Sequence, residues 1–238
     1  LWLPYVWGSE AIAWRTDMWQ PPSKTLSYGD LWQPELEGLL MMQPHSGMLA
    51  AGLALEARGE LAPGAMRAAY DNEDQMRLTW QQVTAFCVRH KSQVKLFWND
   101  ANAQVNALLN EGVMAGQAWD GPALALRTHG EPIDYRAPRE GALAWVDGFA
   151  LSGEAKNLPQ AYAFLDFCFD AQRAGEAIRE HGYNSAVIGA EKFADKAYRE
   201  NYQAAYQADD VQNLWIWPSE PAWYAKARKE FRNQFVNA

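Results

Sequence analysis

Short apolar runs alternate with stretches whose apolar residues recur every three or four positions, and the two periods predict different elements. Residues 3–7 and 11–15 read as strands, followed by a loop at Trp19, Pro21 and Pro22. Asp30 or Gly29 is placed to cap a short helix at 31–33, and 38–42 is a short apolar strand. From Ser46 onward, Leu49, Leu53 and Leu55 follow a helical pattern that Gly59 stops. One or two amphipathic helices fill 64–90, broken near Asp71 and Asn72. A strand at 94–98 leads to a helix capped by Asp100 and ending at Gly112, and 113–119 is a buried strand. Asp120, Gly121 and Pro122 turn the chain into another helix, with Pro122 suited to its first position. Strands follow at 133–135 and 143–151. A single helix spans 159–179, with Ala161, Phe164, Leu165, Cys168 and Ala171 on one stripe. Several shorter helices complete the chain.

This alternation predicts an α/β fold with mainly parallel strand pairing. No internal repeat, low-complexity segment or linker interrupts it, so any two lobes must share crossing strands. The 238 residues suffice for one large domain or two lobes.

Composition narrows the partners. Acidic residues number 29 against 21 basic ones, a net charge of −8, and no basic run or stripe appears. Nucleic acid and anionic membrane are thereby disfavoured. No apolar run reaches the roughly 18 residues of a membrane span, so the chain is not expected to be membrane-embedded. It opens on a strand-like segment without a Met or a basic start, so no signal peptide is read there and an upstream segment is expected to be missing. Cys87 and Cys168 lack metal-ligand spacing and read as buried free thiols. Twelve tryptophans exceed what a core of this size needs; indoles also stack on sugars and cations.

Enzyme signatures are missing. There is no phosphate-cradling glycine motif and no nucleophile elbow. His45, His90, His129 and His181 show no paired spacing and read as surface or capping residues. No metal or other cofactor is expected.

One carboxylate stands out. In the strand at 143–151 the period of two puts Leu143, Trp145, Asp147 and Phe149 on one face. A carboxylate buried there needs a partner. The residues alone leave two readings open: a structural salt bridge or backbone acceptor, and a ligand site in which the Trp145 indole and the Asp147 carboxylate receive an ammonium group. The strand at 113–119 also ends in Trp followed by Asp, at the kind of strand end where open α/β sheets bind ligands. Trp119 could equally be a core anchor, and Asp120 a helix N-cap.

At this point the residues resemble a known family. "PREGALAWVDGFALSGEAKN" (138–157) is similar to the block of bacterial periplasmic spermidine/putrescine-binding proteins that carries W-x-D and ends in A-K-N. "LPYVWGSEAIAW" (3–14), "DLWQPELEG" (30–38), "LLNEGVMAGQAWDGPA" (108–123) and "REHGYNSAV" (179–187) match further blocks in the same order. The resemblance implies a type II periplasmic-binding-protein fold, two lobes joined by crossing strands. Lobe one would take 1–27 and 145–190, and lobe two 28–144 and 191–238. The first lobe would be incomplete, since the family has further residues ahead of Leu1, and would leave apolar surface uncovered.

The function implied is the solute-binding component of an ABC importer. It would be periplasmic, would deliver to a permease and would perform no catalysis. Its ligand would be small, cationic and polyamine-like. Asp147, Trp145, Trp119 and Tyr183 map onto ligand contacts, with Tyr5, Trp7, Asp120 and Ser46 as further candidates. One departure bears on the ligand: the helix start at 41–49 offers Gln43, His45 and Ser46 but no acid. Asp147 is then the secure amine partner and Asp120 a possible second. A shorter amine, an amino acid-like compound or an opine becomes an alternative. A different class remains in a carbohydrate hydrolase using Asp120 and Asp147 as its carboxylate pair.

Overall fold

The computed structural model describes residues 2–207 and 209–238, apart from the side chain of His181. In chain order the elements are β1 (Trp2–Arg15), β2 (Leu40–Met42), α1 (Pro44–Ala57), α2 (Ala65–Ala68), α3 (Glu73–Arg89) and β3 (Val94–Phe97). Then come α4 (Ala101–Asn110), β4 (Ala115–Trp119), α5 (Asp120–Thr128), β5 (Ile133–Arg136), β6 (Leu143–Ala150) and α6 (Leu158–Cys168). The last are α7 (Ala171–His181), β7 (Asn184–Ser185), α8 (Lys196–Ala205), β8 (Trp215–Ile216) and α9 (Tyr224–Val236).

One mixed sheet runs in the order β3-β2-β4-β1-β6-β8, with β5 and β7 pairing β1 off that path. The two strands expected at 3–7 and 11–15 are a single strand, β1, with a register shift between Pro4 and Val6. The pairing is not mainly parallel. β1 runs antiparallel to β4, β5, β6 and β7, whereas parallel pairs occur at β2–β3, β2–β4 and β6–β8. Strand–helix alternation gives parallel neighbours only where a helix carries the chain back across the sheet. That holds for β2, β3 and β4, but β1 runs against them.

β1 changes partners along its length. Its first half pairs β6 and β7, and its second half β4 and β5. Gly8 and Glu10 lie at the handover, opposite Trp145 and Leu143 of β6.

The helices follow local signals. Asn72 caps α3 by accepting from Gln75 N, and Asp100 caps α4 by accepting from Ala103 N. The short helix after the Pro-rich loop is a 3-10 turn at Tyr28–Trp32, capped by Ser27 rather than by Asp30 or Gly29. α1 begins at Pro44, not Ser46, because the Gln43 side chain accepts from both His45 N and Ser46 N. The helix expected at 159–179 is two helices: Asp170 breaks it and caps α7 by accepting from Arg173 N at 3.0 Å.

α1 is apolar all round and buried from Pro44 to Leu55. It is wrapped by α2, α3 and α9, with Trp80, Tyr224 and Phe231 in the same core. A second core on the other face of the sheet gathers Ala11, Ala13, Trp98, Leu108, Val113 and Tyr135. Apolar surface is uncovered on α6, where Tyr162, Phe164 and Phe167 are each more than half exposed. Of the stripe read on this helix, Cys168 is buried and Ala161, Leu165 and Ala171 are half-buried, while Phe164 is exposed. Cys87 and Cys168 are buried free thiols.

Candidate functional site

The handover point of β1 opens into a cavity of about 560 Å³. Glu10 forms its floor. The period of two places Gly8 and Glu10 on one face of β1, with Trp7 and Ser9 on the other. The Glu10 side chain is 8% exposed and accepts hydrogen bonds from Gln117 Nε2 at 2.6 Å and Trp119 Nε1 at 3.0 Å. Burial raises its pKa from the ordinary glutamate value, opposed by hydrogen bonds from Ser46, Trp119 and Gln117.

Trp119 makes one wall. Gln104 fixes its peptide from both sides, accepting from Trp119 N at 2.9 Å and donating to Trp119 O at 3.1 Å. Its indole meets Trp98 edge to face at 4.9 Å, and Trp98 is tied to Gln117 O at 2.8 Å. The side chain therefore presents a rigid aromatic surface.

The opposite wall comes from β6 and the turn after α7. Trp145 lies across Gly8, where a Cβ would stand 2.4 Å from Trp145 Cζ2. The Trp145 ring meets Tyr183 edge to face at 5.0 Å, and Tyr183 in turn rests on Gly121. Burial raises the Tyr183 pKa, with the charges of Asp120 and Asp147 adding to it. Asp147 is exposed at the rim, one period of the strand beyond Trp145.

The far wall is different in chemistry. His45 is 6% exposed, stacked on Trp80 at 5.1 Å with Trp217 at 5.6 Å. Burial, with the charges of Arg228 and Arg232 adding to it, lowers its pKa to about 3, so its ring is neutral. Gln43, Ser46 and Arg228 complete the lining. Among the described residues no group of three His, Cys, Asp or Glu side chains could hold a metal ion, and no helix is long and apolar enough to cross a membrane.

A model of the bacterial extracellular solute-binding protein family matches residues 1–209. The chain belongs to this solute-binding family. It is 26% identical over 215 residues to the spermidine/putrescine-binding periplasmic protein of Escherichia coli K12, covering 89% of this chain and 57% of that one. The putrescine/agmatine-binding protein of Pseudomonas aeruginosa PAO1 is 23% identical over 208 residues, covering 84% and 55%. Among solved structures, a spermidine/putrescine ABC transporter substrate-binding protein from Streptococcus pneumoniae superposes with a TM-score of 0.79 at 17% identity, covering 99% of this chain and 68% of that one. The chain thus spans little more than half the length of its curated relatives, and its fold is that of solute-binding proteins.

Within this member of the solute-binding family, Trp119, Trp145, Asp147, Tyr183 and Ser46 come together on one cavity. Asp147 is not the buried charge that its apolar run suggested, since it stands at the open rim. Three other candidates lie elsewhere. Trp7 has the wrong strand parity and packs on Tyr202 and Tyr206; Tyr5 packs on Phe149 and Phe169.

Asp120 is 1% exposed behind the wall. It accepts from Asn184 Nδ2 and Tyr206 OH at 3.0 Å each, and from its neighbour Gly121 N at 2.9 Å. It is the first residue of α5 rather than its cap, which displaces Pro122 from that first position. Burial raises its pKa to about 7. Asp120 and Asp147 therefore do not face each other across the cavity as a carboxylate pair for hydrolysis would.

His90 and His129 sit at helix C-caps as expected, but His45 is a buried lining residue. Glu10, Trp217 and Arg228 also went unread as site residues, and Gln43, named at the helix start, lines the cavity too. Glu10 carried a signal: like Asp147, it is a lone carboxylate in an apolar strand.

Proposed function

We propose that the protein is the solute-binding component of an ABC importer and holds a small cationic, polyamine-like ligand in the cavity at the β1 handover. The observation that carries this reading is Asp147 at the rim of a cavity walled by Trp119, Trp145 and Tyr183. An ammonium entering there finds indole faces, each worth about 0.5–2 kcal/mol as a cation–π contact. It also finds a carboxylate at the rim. Membership of the solute-binding family and the polyamine-binding names of the curated relatives support the same ligand class.

In this reading lobe one comprises 1–27 and 145–190, and lobe two 28–144 and 191–238. The ligand bridges them, a periplasmic location follows from the relatives, and the permease is the partner. The transport role is binding and delivery, without catalysis.

Calorimetric titration of Asp147→Asn with putrescine and 1,5-diaminopentane tests it. The substitution removes the charge and keeps the shape at an exposed position, so the circular dichroism spectrum should not change. Affinity should fall at least tenfold, and an unchanged affinity removes Asp147 from the site.

A further inference from the structure

The cavity has a positive end as well as a negative one. Arg228 lines the main cavity and also a second one of about 330 Å³, which shares Gln43 and His45 and is otherwise walled by Ala225, Lys229 and Arg232. Arg228 and Arg232 stand four residues apart on one face of α9, and Lys229 beside them lines the same space, so three cations border it. Among the described residues one carboxylate pairs with them, Glu220, which meets Arg228 Nη1 at 3.0 Å. That contact occupies one of the five guanidinium N–H groups.

Two neighbours add donors and an unmet need. The Gln43 side-chain oxygen is committed to His45 N at 2.7 Å and Ser46 N at 2.8 Å, which leaves its amide N–H groups to turn elsewhere. His45 is almost fully buried between Trp80 and Trp217, yet neither ring nitrogen has a hydrogen-bond partner. A buried polar ring without partners is an uncompensated desolvation that a ligand group at this wall would relieve.

A second ammonium of a diamine, reaching from Asp147 across the cavity, would be carried toward these three cations. A carboxylate at the same place would meet a forked guanidinium and an amide donor, the arrangement that makes charge-assisted hydrogen bonds strong and specific. We propose that the ligand is amphoteric: a small molecule whose ammonium group is held by Asp147 and whose opposite end is a carboxylate held by Arg228 and Gln43. The proposal rests on the amine-binding reading above and narrows it.

Tryptophan fluorescence, reported by Trp119, Trp145 and Trp217 in the cavity wall, follows binding of two matched pairs of probes. One pair is 6-aminohexanoate against 1,5-diaminopentane, and the other is L-arginine against its decarboxylated form, agmatine. The carboxylate-bearing member should bind at least tenfold tighter in at least one pair. Arg228→Leu should abolish that preference and Arg228→Glu should reverse it, with the circular dichroism spectrum retained in both.

Equal or tighter binding of the member without a carboxylate in both pairs overturns the amphoteric ligand, as does a preference that survives Arg228→Leu. If the amines then still weaken with Asp147→Asn, the amine-binding reading stands alone. Amine binding that ignores Asp147→Asn, or no response to any of the four probes, overturns both.

Discussion

Replacing Gly8 by alanine puts a methyl carbon where the Trp145 indole already lies. The added Cβ would stand 2.4 Å from Trp145 Cζ2 and 2.8 Å from Cε2, against an ordinary contact of about 3.5 Å. The indole must retreat by about 1 Å, and behind it stands Tyr183, whose ring centroid is 5.0 Å away. Gly8 lies in extended strand without a positive φ, so alanine itself fits the backbone and contributes about 0.5–1 kcal/mol relative to glycine. Overpacking of this kind costs about 1–3 kcal/mol. The difference predicts a net loss of up to about 2.5 kcal/mol, or a fall in Tm of up to about 10 °C for a chain of this size.

The assay is thermal unfolding of a double-mutant cycle with Trp145→Ala. In the Trp145→Ala background the clash is gone, so Gly8→Ala should be neutral or stabilising. If Gly8→Ala costs as much in that background as in the wild type, Trp145 is not what requires the glycine. The Asp120 carboxylate, with Oδ1 3.0 Å from the added carbon, would then be the cause.

Three further outcomes follow from the same geometry. Asp120 is raised from the ordinary 3.8 to about 7 in the fold, which corresponds to about 4 kcal/mol. Its contribution to stability is present below pH 4 and lost as pH rises to 7. Urea unfolding should therefore show Asp120→Asn to be less sensitive than the wild type to a change from pH 5 to pH 8, and equal slopes would refute it. Gln104→Ala leaves the Trp119 N–H and C=O without their partner and should lower stability by about 1–3 kcal/mol by denaturant titration. Burial raises the pKa of both Cys87 and Cys168, so an aromatic disulfide reagent should label neither in the native protein and both after unfolding.

What could be read from the chain depended on how local each signal was. The caps at Asn72 and Asp100 act within three residues, and the helices they start lie where the pattern placed them. Trp145 and Asp147 share a strand face by the period of two, so their common placement on the cavity was also legible. Asp170 was a local signal left unread: its cap on Arg173 divides a stripe that seemed continuous.

Other features depend on contacts between distant segments. Asp120 is enclosed by Asn184 and Tyr206, and Arg228 enters the site from α9. No spacing within either segment announces those meetings. Glu10 lies between these cases. Its isolation in an apolar strand was visible, but its hydrogen bonds to Gln117 and Trp119 come from β4, far along the chain.

The handover along β1 also governs the order in which the fold can form. Each of its four partner strands comes later in the chain, the first at Ala115–Trp119 and the last at Asn184–Ser185. Until they arrive, a strand rich in tryptophan and aliphatic side chains lacks these four partners, and an unpaired strand edge invites pairing with another molecule. Contacts so distant in sequence are slow to close. The strand that carries the floor of the cavity therefore precedes all four of its partners and is fully paired with them only when the last has formed. The interval before that pairing is when the chain is most exposed to association with its own copies.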